Sequence, residues 1–175
     1  MAIAFDTTAS NTGIHAGAVT LVEKFIGKAC LWLACQRHIN ELHIKHAAIS
    51  VFGPTSSPSD KIFKDLRQAW PKIMDKIDYK DLVMFDWEGL SNTMLKQEAT
   101  VSLEFCRKAM ASGTFPREDY KELVQLILVW LGGVAEVPGF KFQWPGAYHQ
   151  ARFMAKSLYI LKLNMLSSQI QILSI

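Results

Sequence analysis

The sequence predicts an α/β fold, a short parallel sheet followed by a predominantly helical extension, on three observations. Met1-Ala-Ile-Ala-Phe-Asp6 carries an apolar run into a carboxylate and then into the small-residue turn Thr7-Thr-Ala-Ser-Asn-Thr-Gly13, the way a buried parallel strand ends at a working edge. Ala29 to Ala34 is a second apolar run of strand length, with a helical pattern between the two. After residue 35 no strand pattern is convincing, while helical periodicity recurs almost to the end.

Composition bounds the rest. A chain of 175 residues, 50% hydrophobic, is long and apolar enough to bury one sizeable core, so one domain with a helical appendage is expected. A net charge of +3 is too mild to announce a nucleic-acid protein unless a basic face is concentrated locally. Three cysteines, Cys30, Cys35 and Cys106, are an odd number without framework spacing, which favours a reducing compartment. The start lacks a basic stretch and has an acid at position six, unlike a secretory signal. No apolar run approaches the roughly 18 residues of a membrane span. The expectation is an intracellular protein without membrane contact.

In chain order, residues 1–6 read as a strand and Thr7–Gly13 as a turn. Residues 16–27 read as a helix with Val19, Val22 and Phe25-Ile26 on one face and Gly27 as its C-cap. After the second strand, Cys35-Gln-Arg-His38 opens a helix that runs to about Val51. The order βαβα implies parallel strands and a right-handed crossover, which puts Asp6 and the Cys35–His38 turn at the same carboxyl edge. Residues 1–53 therefore form the core and 54–175 the extension. In the extension, Ser57 is an N-cap candidate with Pro58 in the first turn. Ile62-Phe63, Leu66 and Trp70 form a stripe, and Pro71 is expected to stop that helix.

Residues 72–86 are ambiguous. A helix from about Leu90 to Met110 carries Leu95, Ala99, Leu103 and Cys106 on one stripe, and Ser112-Gly113 closes it. Residues 119–131 form a helix whose last two turns are apolar all round and so buried, with Tyr120, Leu123-Val124, Ile127 and Trp130-Leu131 on one face. Pro138 to Pro145 is an aromatic connector, and 147–168 a final long helix.

The strand ending in Phe5-Asp6-Thr7-Thr8, then Ser10-Asn11-Thr12-Gly13, then the strand leading into Cys35-Gln36-Arg37-His38, resembles part of the RNase H-like catalytic domain of DDE-type transposases. Those related to the hAT and Kolobok groups carry a second catalytic aspartate and a Cys-x-x-His turn before a helical insertion. Arg117-Glu-Asp-Tyr-Lys-Glu-Leu and Pro145-Gly-Ala-Tyr-His-Gln-Ala-Arg-Phe-Met-Ala-Lys156 are similar to segments of transposon-derived animal proteins. The resemblance implies a partial RNase H-like core, with Asp6 as a ligand for Mg²⁺ or Mn²⁺ in phosphodiester chemistry on DNA, and a nuclear location. The family's first aspartate lies on an earlier strand and its closing glutamate follows the insertion. This chain begins at the second strand and has no acid after Leu158, so a fragment or remnant, inactive alone, is expected.

Blander roles compete. Asp6 can cap its own turn through the Thr8 or Ser10 amides. Cys35 and His38 have zinc-like spacing but no second pair, which favours a turn-stabilising role over a metal site. His38, His43 and His46 on one helix lack i,i+4 pairing and read as structural, and Glu41 with Lys45 as an exposed pair. His149, Arg152 and Lys156 share a helix face, a stripe suited to DNA phosphates or simply to solvent. Phe140, Phe142, Trp144 and Tyr148 either stack on bases or, by preference, plug a helix junction.

Residues 1–13 are also similar to the first phosphate loop of sugar kinases and actin-like ATPases, although Thr7-Thr8 replace a glycine and a helix follows where a strand should. A non-catalytic DNA- or protein-binding module is the third reading. Two open sheet edges would favour self-association.

Overall fold

The strands and the buried helix stripe fall in separate compact units of the chain, Met1–Pro54 and Thr55–Ile175. A computed structural model describes residues 1–53, 61–146 and 154–172, and each unit is taken by itself.

In the first unit β1 (Ala2–Phe5) pairs in parallel with β2 (Leu31–Ala34), Ala2 opposite Leu31 and Phe5 opposite Ala34. The predicted turn after β1 contains a single helical turn, α1 (Ala9–Thr12), in place of an irregular loop. Local hydrogen bonds account for it: the Asn11 and Thr12 amides both donate to the Thr8 carbonyl. The crossover is α2 (Ala18–Ile26), ended by Gly27 at φ 66°, a left-handed geometry that glycine adopts without a Cβ penalty. Its start is held tightly against the turn, since a Cβ on Gly17 would lie 2.5 Å from the Gly13 amide nitrogen.

Glu23 Oε1 accepts from the Cys30 amide (2.7 Å) and the Trp32 indole (2.9 Å), tying α2 to β2. Phe5 packs edge-on against Trp32. α3 (Gln36–Phe52) follows directly. The predicted apolar face of α2 is not covered: Val19 is buried, but Phe25 is 90% exposed. Of residues 1–50, only Gly17, Val19 and Ala48 are buried.

The second unit holds the core. α4 (Lys61–Lys76) buries Phe63, Leu66, Trp70 and Ile73 at spacings of three and four, while Ile62 points to solvent. Pro71 does not stop α4 as expected. The helix runs on to Lys76 without the proline N–H, because burial of Ile73 and packing of Met74 continue the stripe past it.

The ambiguous stretch 72–86 resolves into the end of α4, a 3₁₀ turn at Tyr79–Asp81, and an extended segment. That segment is held by partners remote in sequence, the Val83 amide on Met165 and the Phe85 amide on Trp130. Asn92 caps α5 (Thr93–Ser112) through the Leu95 amide, and Gly113 closes it. Leu95 itself is exposed, so the stripe begins at Ala99.

α6 (Glu118–Trp130) has Leu126, Leu128 and Val129 fully buried, as an all-round apolar run requires. The connector after it places Phe142 against Trp70 and Tyr79, plugging the junction, whereas Trp144 is exposed. The predicted single helix over 147–168 is instead α7 (Ala155–Met165), a break at Leu166, and α8 (Ser167–Ile172); residues 147–153 lie outside the described residues. Both ends of the 78–81 turn are fastened to α8, through Gln169 to Asp78 and Ser168 to Asp81. The break aims those side chains at the turn. Among the described residues no strand follows Ala34 and no helix is long and apolar enough to cross a membrane.

Candidate functional site

Parallel pairing of β1 and β2 brings Asp6 and the Cys35–His38 turn to one carboxyl edge. The Asp6 carboxylate is exposed, and its Oδ1 accepts three donors: the Thr8 amide (3.1 Å), the Thr8 hydroxyl (2.5 Å) and Asn11 Nδ2 (2.7 Å). Asn11 also reaches the Asp6 carbonyl at 3.3 Å. The Ser10 hydroxyl bonds that of Thr8 (2.9 Å) and does not reach Asp6, and Thr7 makes no side-chain hydrogen bond among the described residues.

This is an Asx-type turn, in which a short acid side chain satisfies amides of the residues that follow it. Oδ2 has no partner among the described residues. The Thr8 hydroxyl and amide hold the Asp6 carboxyl below the usual range, with Asn11 and then the charge of His38 assisting.

The Cys35–His38 link is made by the main chain, the His38 amide donating to the Cys35 carbonyl (3.0 Å). The Cys35 thiol has no hydrogen-bond partner among the described residues. His38 Nδ1 lies 3.8 Å from Glu41, one turn on, so Glu41 sits against His38 instead of the expected Lys45. His43 and His46 are exposed. Among the described residues no group of three or more His, Cys, Asp or Glu side chains gathers closely enough to hold a metal ion. With Oδ1 taken by three donors, Asp6 offers one oxygen, and among the described residues no companion ligand for the Mg²⁺ or Mn²⁺ implied by the resemblance gathers beside it. Of the basic stripe, Lys156 lies half-buried in the first turn of α7, while His149 and Arg152 lie outside the described residues, as does Tyr148.

A pH dependence follows from these contacts. Asp6 and Glu23 are both held ionised more firmly in the folded state than in the unfolded chain, Glu23 first by the Cys30 amide and then by the Trp32 indole. Their contribution is complete above the unfolded-chain range of about pH 4 and is lost as pH falls through their lower folded values. Amide exchange by NMR should show the protection factors of Thr8 and Cys30 falling together in that acid range, with the Thr8 response absent in Asp6→Asn. Protection that does not change with acid would contradict the assignment.

A second candidate lies in the second unit, where the sequence pointed to core alone. A cavity of about 430 Å³ is lined by Arg117, Glu118, Glu122, Trp144, Tyr159 and Lys162, among others. Lys162 is 2% exposed; its Nζ lies 2.5 Å from Glu122 Oε1, 2.9 Å from the Gln143 carbonyl and 5.5 Å from the Trp70 ring centre. Oε1 of Glu122 is buried, and the Lys162 ammonium is its partner. Burial pushes the Lys162 ammonium below its ordinary range, and the charge of Glu122 opposes that shift.

Beside the pair, the Tyr159 hydroxyl donates to the Gly146 carbonyl (2.6 Å) and accepts from Arg67 (2.8 Å). The available signal was a charge inside each apolar run, Glu122 before Leu123-Val124 and Lys162 between Leu161 and Leu163. A lone charge at such a place needs a buried partner.

Comparison of the chain with models of protein families, with curated proteins and with solved structures finds no match.

Proposed function

We propose that this chain is a transposase-like remnant that works by association, its first unit completed by a second copy of itself. One observation carries the reading: a two-stranded parallel sheet whose strands are both open. Parallel sheets are ordinarily covered on both faces, and two strands alone are marginal in water. Here all four residues of β2 are exposed, Leu31 at 65%, as are Leu21, Val22 and Phe25. Burying such a side chain fully is worth about 1.5–3 kcal/mol.

Neither strand carries a charge or proline of the kind that protects edges, Ala-Ile-Ala-Phe in β1 and Leu-Trp-Leu-Ala in β2. A second copy supplies a strand of the same length and character. Two-fold symmetry makes identical edges pair antiparallel, giving the order β1-β2-β2′-β1′. Position and chain order support the RNase H-like ancestry, with Asp6 and the Cys35–His38 turn at the same carboxyl edge. The carboxylate at that edge serves its own turn.

Sedimentation equilibrium of the full chain tests the reading: a reversible dimer is expected, and a monomer throughout the micromolar range would contradict it. Calorimetric titration with Mn²⁺, with and without a short DNA duplex bearing a 3′ hydroxyl, separates it from nuclease chemistry. Wild type and Asp6→Asn should give the same heats. Binding that depends on Asp6 and is enhanced by DNA would return the metal-dependent reading to first place.

A further inference from the structure

We propose that α5 is a further interface between copies of this chain, pairing antiparallel with α5′ of a second copy about a two-fold axis level with Leu103. The contact lies wholly in the second unit and is separate from the β2 edge. The core side of α5 is Ala99, Leu103, Cys106 and Met110, buried or packed against the core. Close to half a turn around the helix from them, Met94, Val101 and Phe105 stand 69%, 62% and 66% exposed. Single exposed apolar residues are ordinary. Three aligned on the far side of one helix make a stripe that the core does not use.

The full stripe is Met94, Glu98, Val101, Phe105, Lys108 and Ser112, all exposed, at steps of four, three, four, three and four. That is the spacing with which two helices pack side by side. Turned end for end about Leu103, the stripe maps onto itself. Val101 falls opposite Phe105′, Glu98 opposite Lys108′ and Met94 opposite Ser112′, each partner being equally far from Leu103 in the other direction.

This symmetry identifies the occupant. In a two-fold pair each contact occurs twice, so an apolar centre of two Val–Phe pairs is closed at both ends by an acid against a base. A parallel pair would instead set Glu98 against Glu98′ and Lys108 against Lys108′. Glu98 and Lys108 have no ion-pair partner among the described residues, whereas the neighbouring Arg107, off the stripe, is held by Glu136. Glu104, which flanks the axis, has Arg107 and Lys108 of its own helix three and four residues on. One helix against one helix is a small interface, so pairing is expected to be weaker than that of β2, with a Kd of about 0.1–1 mM.

The test follows the Val101 and Phe105 amide signals of the full chain by NMR on dilution from about 1 mM to about 0.05 mM, a range that brackets that Kd. Both signals should shift in wild type. Glu98→Lys or Lys108→Glu alone should weaken the pairing about five- to thirtyfold, since each reversal turns two attractions into repulsions. An equal mixture of the two variants should pair at least as tightly as wild type, because every lysine of one copy then faces a glutamate of the other. Both positions are exposed, so folding should be kept, which circular dichroism checks.

The same series in Ala34→Pro should give the same changes, so that failure of the β2 reading and failure of this one are read apart. Signals independent of concentration would overturn the proposal and leave the stripe to a helix of another protein. Single reversals without effect, or a mixture no tighter than its components, would overturn it as well.

Discussion

Lys162→Ala is expected to destabilise the second unit by about 3–5 kcal/mol, the penalty for leaving one charge of a buried pair uncompensated. Lys162 is 2% exposed and is the ionic partner of Glu122, whose Oε1 is itself buried. Removing the ammonium leaves the largely buried Glu122 carboxylate without its counter-charge, and also orphans the Gln143 carbonyl. Lys162→Met keeps most of the stem and should cost nearly as much, which separates charge from packing. Glu122→Gln should cost less, because the ammonium keeps Gln143 and the Trp70 face.

The paired change Lys162→Met with Glu122→Leu should recover most of the loss, since a buried ion pair seldom outperforms an apolar pair of similar volume. Urea unfolding followed by tryptophan fluorescence measures all four. A loss below about 1 kcal/mol for Lys162→Ala would mean that water reaches the pair and that it behaves as a surface salt bridge.

Ala34→Pro is expected to abolish most self-association while keeping the β1–β2 ladder. Successive residues of a strand direct their amides to opposite edges. The Leu31 and Cys35 amides donate to β1, on Met1 and Phe5, so those of Trp32 and Ala34 face the open edge. Proline at 34 removes a donor from that edge alone and crowds an approaching strand. In a two-fold dimer the loss is counted twice, about 1–3 kcal/mol in all, or a dimer weaker by roughly five- to 150-fold. Sedimentation of wild type and variant reads it, with circular dichroism as the folding control. Phe25→Glu tests the apolar face independently and should also weaken the dimer. Unchanged dimers in both variants would place the contact elsewhere.

How far these features could be read in advance depends on how local their causes are. Gly27 and Gly113 closed helices where expected, because a left-handed cap is written in a single residue. The β1–β2 pairing was legible from two apolar runs flanking a helical pattern. Pro71 misled, because its local effect was overridden by burial of Ile73 against partners far away in sequence. Residues 82–86 were opaque for the same reason, their backbone being held by Trp130 and Met165.

At the candidate sites, Asp6 and its Thr8 contact were readable because the turn is local. The pair of Lys162 with Glu122 was not, since it joins two helices and only a misplaced charge in each marks it. The exposure of Phe25 was equally hidden: periodicity identifies an apolar face but not what covers it.

The most direct measurement of the central claim is an isotope-filtered NMR experiment on a dimer mixed from labelled and unlabelled copies. Pairing of β2 with β2′ predicts cross-peaks between copies at the Trp32 and Ala34 backbone, together with slow exchange of those two amides. If the mixed sample shows no such cross-peaks and both amides exchange as freely as in an isolated strand, the open edge is not what the second copy covers.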